Sequence, residues 1–119
     1  MKFVTNSEYE EFCDLLLART DSPKGHRDQL LFLGLKLAEE VGEVSKLLVQ
    51  SLFRDKRNTR EKLRDELGDV LFFVAMLARA KGFSLSDLMA SNVEKLEKRY
   101  GHIKPGENYA WFLGELEKD

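Results

Sequence analysis

The stretch RDELGDVLFFVAMLA, residues 64–78, decides the fold. Its second half, Val70 to Ala78, is uncharged and would be apolar on every side of a helix. Such a segment needs protein on both sides. It is far shorter than the roughly 20 residues that span a bilayer. Three neighbouring helices in one small chain cannot cover it fully, so the pattern predicts a homo-oligomer, a dimer or a tetramer. Its first half is acidic, Asp65-Glu66-Leu67-Gly68-Asp69.

Working outward, this helix is expected to be capped by Thr59 and to end near Lys81, with Gly82 suited to a left-handed position. Before it lies the charged loop Arg54 to Asn58. Before that, a second amphipathic helix covers Arg27 to Phe53, with Leu30, Leu33, Leu37, Val41, Val44 and Leu48 as its buried face. A first helix is expected from Ser7, where Ser7 and Glu10 make a Ser-x-x-Glu capping box, to Arg19. It stops in the turn formers Thr20 to Gly25. On the other side, Ser84 with Asp87 starts a fourth helix that closes at Gly101, its apolar side being Leu85, Leu88, Met89, Val93, Leu96 and Tyr100. A short helix is expected within 107–119, with Trp111 and Phe112 packing on the bundle. β-branched residues are sparse and no alternating pattern persists. The expectation is an all-α fold, a four-helix core bundle completed by homo-oligomerisation, with residues 1–119 as one domain.

Composition narrows the function classes. Of 119 residues, 43% are hydrophobic and 34% charged, the balance of a globular chain rather than a disordered one. Nineteen basic against 21 acidic side chains leave a net charge of −2, which gives no broad attraction to nucleic acid or anionic membrane. Cys13 is the single cysteine, excluding an intrachain disulfide and zinc-finger spacing; it reads as a small buried apolar residue. The N-terminus lacks the apolar run of a signal peptide, so a reducing cytoplasm is expected.

The chemistry lies in two acidic patterns on consecutive helices, Glu39-Glu40-Val41-Gly42-Glu43 and Asp65-Glu66-Leu67-Gly68-Asp69. Glu40 with Glu43, and Glu66 with Asp69, are spaced three apart, which puts each pair on one helix face. Glu66 falls in line with Leu63, Val70 and Phe73. Glu40 sits between Leu33, Leu37, Val44 and Leu47. Both pairs therefore border apolar faces and should converge where the two helices meet. Like charges about 4 Å apart repel by about 4 kcal/mol at an effective dielectric of 20. A cluster of this kind must protonate, find cations or hold a metal. A hard divalent ion with oxygen ligands fits, with Mg²⁺ favoured and Mn²⁺ a substitute. On the fourth helix Asn92, Lys95 and Arg99 lie within or beside the apolar side, groups suited to a polyphosphate.

LAEEVGEV, RDELGDVLFFVAMLA and SNVEKLEKRY together resemble the MazG-like nucleotide pyrophosphohydrolases of the all-α NTP pyrophosphohydrolase superfamily, over Leu30 to Tyr100. The resemblance implies a four-helix core, oligomeric assembly and hydrolysis of a nucleoside triphosphate to monophosphate and pyrophosphate. It implies Glu40, Glu43, Glu66 and Asp69 as Mg²⁺ ligands, with Glu39 supporting the site. It implies Asn92, Lys95 and Arg99 as phosphate-binding groups. Two-domain members carry Cys-Pro-Trp-Asp ahead of the Glu-rich helix; here the segment reads Ser22-Pro23-Lys24-Gly25-His26-Arg27-Asp28-Gln29.

The mechanism expected is metal-assisted hydrolysis at the α-phosphorus, with Glu43 or Glu39 accepting the proton of the attacking water. Nucleotide-pool sanitation is the role such a reaction would serve. The rival reading is a non-enzymatic helical interaction module with an acidic surface. A ferritin-like di-iron centre requires Glu-x-x-His pairs, and neither His26 nor His102 completes one. Both histidines are expected in loops.

Overall fold

Thr5 opens the first helix. Its side chain accepts a hydrogen bond from the Glu8 N–H, and the Glu8 carboxylate accepts one from the Thr5 N–H at 2.9 Å. The expected box at Ser7 and Glu10 is thus displaced by two residues. Both pairs have the same spacing, but Glu10 is needed elsewhere: it is buried, and its carboxylate accepts the Leu85 N–H at 3.2 Å. The computed structural model describes residues 1–54, 59–102 and 114–115, and the regular structure among them is all helical. The elements are α1 (Asn6–Arg19), α2 (His26–Phe53), α3 (Thr59–Ala80) and α4 (Leu85–Tyr100). His26 begins α2 rather than lying in the loop before it. The expected tail helix, apart from Gly114 and Glu115, lies outside the described residues, as do Trp111, Phe112 and the loop residues 55–58.

The chain divides into two compact units, Met1–Leu88 and Met89–Asp119. In the first, α2 and α3 are the main packed pair and α1 lies against α3. Cys13, Leu33, Ala75, Met76 and Leu85 form the core, with Tyr9, Leu17, Phe32, Phe72, Phe73, Leu77 and Leu88 packed on it. Cys13 is fully buried, as its apolar reading requires. Arg79 ties α3 to α1: its guanidinium bonds both Asp14 oxygens and lies 3.9 Å from Glu10. Gly82, at φ 81°, makes the turn into α4, where Ser84 and Asp87 exchange hydrogen bonds of 2.9 and 3.0 Å. Gly101, at φ 83°, ends that helix.

The buried face of α2 differs from expectation. Leu33 is buried and Leu30, Leu37, Val44 and Leu47 are half-buried, while Val41 and Leu48 are exposed. The stripe follows positions 30, 33, 37, 40, 44 and 47, so Glu40 stands in the line of apolar residues facing α3. On α3, Ala75, Met76 and Ala78 are buried, but Leu67 and Leu71 remain exposed, so the described residues leave one side of that helix uncovered. On α4 only Leu85 is buried and Leu88 and Leu96 half-buried; Met89, Val93 and Tyr100 are exposed.

Candidate metal centre

The stripe that packs α2 on α3 carries the acids with it. Glu40 replaces an apolar residue between Leu37 and Val44, and Glu66 does the same between Leu63 and Val70 on α3. Burying the leucines therefore brings the carboxylates together. One carboxylate oxygen from each of Glu40, Glu66 and Asp69 lies within 4.8 Å of the others. Glu40 and Glu66 are half-buried, and Asp69 is open to water.

Two observations mark this as a strained set of charges. Glu66 Oε2 is sealed from solvent and receives no hydrogen bond from the described residues. A buried acceptor without a donor costs about 1–3 kcal/mol, and more when charged. The Glu40 carboxyl is held above its ordinary value, first by burial, then by a hydrogen bond to the Glu66 carboxyl. Repulsion from Asp69, Glu66 and Glu39 acts in the same direction. At 4.8 Å each like-charge pair repels by about 3.5 kcal/mol at an effective dielectric of 20, before water at Asp69 screens it. A proton on Glu40 relieves part of this. A divalent cation relieves all of it, and an all-oxygen donor set suits Mg²⁺. The three residues fit such an ion.

The other predicted residues are placed as follows. Glu43, three residues beyond Glu40, is exposed and its carboxylate stands outside the group of three. Glu39 is exposed and paired with Lys36 at 3.1 Å. Asn92, Lys95 and Arg99 are exposed on the part of α4 that belongs to the second unit. There Lys95 and Arg99 line one open groove with Ser91, Glu94 and Lys98. Lys98 is 3.5 Å from Glu94, and the Arg99 guanidinium lies 6.0 Å from the Tyr100 ring centroid. Within the second unit, His102 Nδ1 is 2.7 Å from Glu97.

Sequence reasoning missed Tyr9. This α1 residue is half-buried on the core, and burial, Cys13 and the nearby negative charge of Asp69 all hold its phenol in the protonated form. It is a neutral phenol that feels the charge of Asp69. Nothing local announces it, because a tyrosine on an amphipathic helix reads simply as core.

The family described as MazG nucleotide pyrophosphohydrolase domain matches residues 29–104, and the chain belongs to that family. It is similar to the protein named "Uncharacterized protein YvdC" of Bacillus subtilis (strain 168), at 36% identity over 75 residues, covering 56% of this chain and 71% of that protein. It is also similar to the "Gene 37 protein" of Mycobacterium phage L5, at 35% identity over 75 residues, covering 59% of this chain and 65%, just under two thirds, of that protein. No solved structure matches the chain.

Proposed function

We propose that this chain is a Mg²⁺-dependent nucleotide pyrophosphohydrolase, converting a ribo- or deoxyribonucleoside triphosphate to the monophosphate and pyrophosphate. In this reading residues 1–119 act as one catalytic domain, as a homo-oligomer in the cytoplasm, with nucleotide-pool sanitation as its role. The single observation that carries it is the sealed Glu66 oxygen within a group of three carboxylates, in a chain of this family.

Glu40, Glu66 and Asp69 would hold the ion. Bound there, Mg²⁺ supplies charge neutralisation for the phosphates and acidifies water. Glu43 is exposed and three residues along α2 from Glu40, and we assign it as acceptor of the attacking water's proton. Glu39, already engaged by Lys36, supports the site by its charge. Lys95 and Arg99, with the Asn92 amide, have the chemistry to bind the polyphosphate and steady the departing pyrophosphate.

The test is incubation with common and damaged nucleoside triphosphates, with and without Mg²⁺, while pyrophosphate, orthophosphate and monophosphate are quantified. Equimolar pyrophosphate and monophosphate, dependent on the metal, are expected. Orthophosphate release, or no turnover of any nucleotide as for an acidic interaction module, would overturn the assignment.

A further inference from the structure

Three side chains on one face of α1 fix that helix in place. Cys13 is fully buried in one core with Met76, Asp14 bonds Arg79, and Glu10 accepts the Leu85 N–H. Tyr9 lies one turn before Cys13 on the same side of α1, half-buried on that core. On α3, Asp69 lies two turns before Met76 and on the same side, with Phe72 and Phe73 between them.

The two helices run in the same direction. The later residue Asp14 meets the later Arg79, and the earlier Tyr9 is acted on by the charge of the earlier Asp69. At 1.5 Å rise per residue, Tyr9 stands about 6 Å before Cys13 and Asp69 about 10.5 Å before Met76. The remaining ~4.5 Å is within the length of a tyrosine side chain, which on a helix leans toward the N-terminus. The packing that buries Cys13 and Met76 therefore carries the phenol toward the turn of Asp69. Asp69 is also the acid of the three that is open to water, and among the described residues its carboxylate has no hydrogen bond or ion pair.

We propose that Tyr9 is a positioning residue of the metal centre: its phenol O–H donates to the Asp69 carboxylate and holds it turned toward Glu40 and Glu66. Tyr9 and Cys13 share a hydrogen bond. A thiol is a weak donor and a weak acceptor, so an ionised carboxylate outcompetes it for the O–H, and the thiol proton then turns to the phenol oxygen. Burial keeps the phenol neutral, so it brings a donor to the acids without adding a negative charge. Groups that orient a metal ligand from outside the coordination sphere typically set affinity by 10–100-fold. The role rests on Asp69 being a ligand, as the proposed function has it.

Calorimetric titration of the metal-free full chain with Mg²⁺, without nucleotide, compares wild type with Tyr9→Phe. The variant keeps the ring that packs on the core, so its melting temperature in EDTA should stay within about 3 °C of wild type. Its Mg²⁺ affinity should fall about tenfold or more. A second measurement needs no metal. In protein labelled with ¹³C at tyrosine Cζ, the Tyr9 resonance, assigned by its loss in Tyr9→Phe, should move in Asp69→Asn and stay in place in Glu97→Gln. Wild-type binding of Mg²⁺ with equal binding by Tyr9→Phe would overturn this role and leave the proposed reaction standing, as would a Tyr9 resonance indifferent to Asp69→Asn. A lower melting temperature with unchanged affinity would mark Tyr9 as a packing residue only, and so overturn the proposal. No binding by the wild type would overturn this role and the metal centre together.

Discussion

Glu40 on α2 and Glu66 on α3 bring carboxylate oxygens within 4.8 Å of each other across a helix interface otherwise packed with leucine, valine and phenylalanine. Two acids in that position destabilise the metal-free fold. Their retention at the seam is understood if a cation is part of the working state, a trade of stability for function.

That trade predicts a gain in stability when an acid is neutralised. Glu66→Gln keeps the shape of the side chain and supplies a donor to the repelling pair. In chelator, it should raise the unfolding free energy by about 1 kcal/mol, a rise of a few degrees in melting temperature. Differential scanning calorimetry in EDTA measures it. A fall of similar size would mean the carboxylate is stabilised by groups other than a metal.

The pH dependence follows from Glu40, whose carboxyl is held above its ordinary value of 4.5 by burial and by its acidic neighbours. Below 4.5 it is protonated in the folded and unfolded chain alike, and it costs the fold nothing. As pH rises through the raised value, the unfolded chain has already released the proton, so metal-free stability falls, and above that value the loss is complete. Melting curves of Glu40→Gln and wild type should therefore diverge across this window, with the variant ahead. Saturating Mg²⁺ should put the wild type ahead instead. A difference constant with pH would show that Glu40 titrates normally.

Arg79 is the cation that holds α1 to α3, through both oxygens of Asp14 and the nearly buried Glu10. Arg79→Met removes the cation from Asp14 and leaves Glu10 held by the Leu85 N–H, and should lower stability by about 1–2 kcal/mol in urea denaturation. Lys98→Met, which breaks the open pair with Glu94, should change it by less than about 0.5 kcal/mol. Equal effects would remove the special place given to Arg79.

The start of α1 is tested by a pair of alanines. Thr5→Ala removes the cap and should cost about 1 kcal/mol, whereas Ser7→Ala, inside the helix, should be neutral or slightly favourable. The reverse order would place the capping box at Ser7 after all.

Local chemistry made much of the fold legible. Gly82, Ser84 with Asp87, and Gly101 mark the turn, start and end of α4 because positive φ and capping bonds are decided within a few residues. The faces were harder. Val41 and Leu48 have the right spacing for the buried stripe of α2, yet the line followed runs through Glu40 and Leu47, since the contact surface of α3 chooses between adjacent apolar lines. Two overlapping Thr/Ser-x-x-Glu patterns were locally equal, and a bond to Leu85, 75 residues away, assigned Glu10 to the interior. Distance along the chain hid Tyr9 and the Arg79 tie in the same way. The acids were legible as a pattern, and the structure gathers three of them while leaving Glu43 outside the group.

The decisive measurement is a calorimetric titration of the metal-free wild type and Glu66→Gln with Mg²⁺, without nucleotide. Saturable binding by the wild type, weakened at least ~10-fold in the variant, is expected. Equal binding by the two proteins, or none by the wild type up to ~10 mM, would contradict a metal centre at Glu40, Glu66 and Asp69.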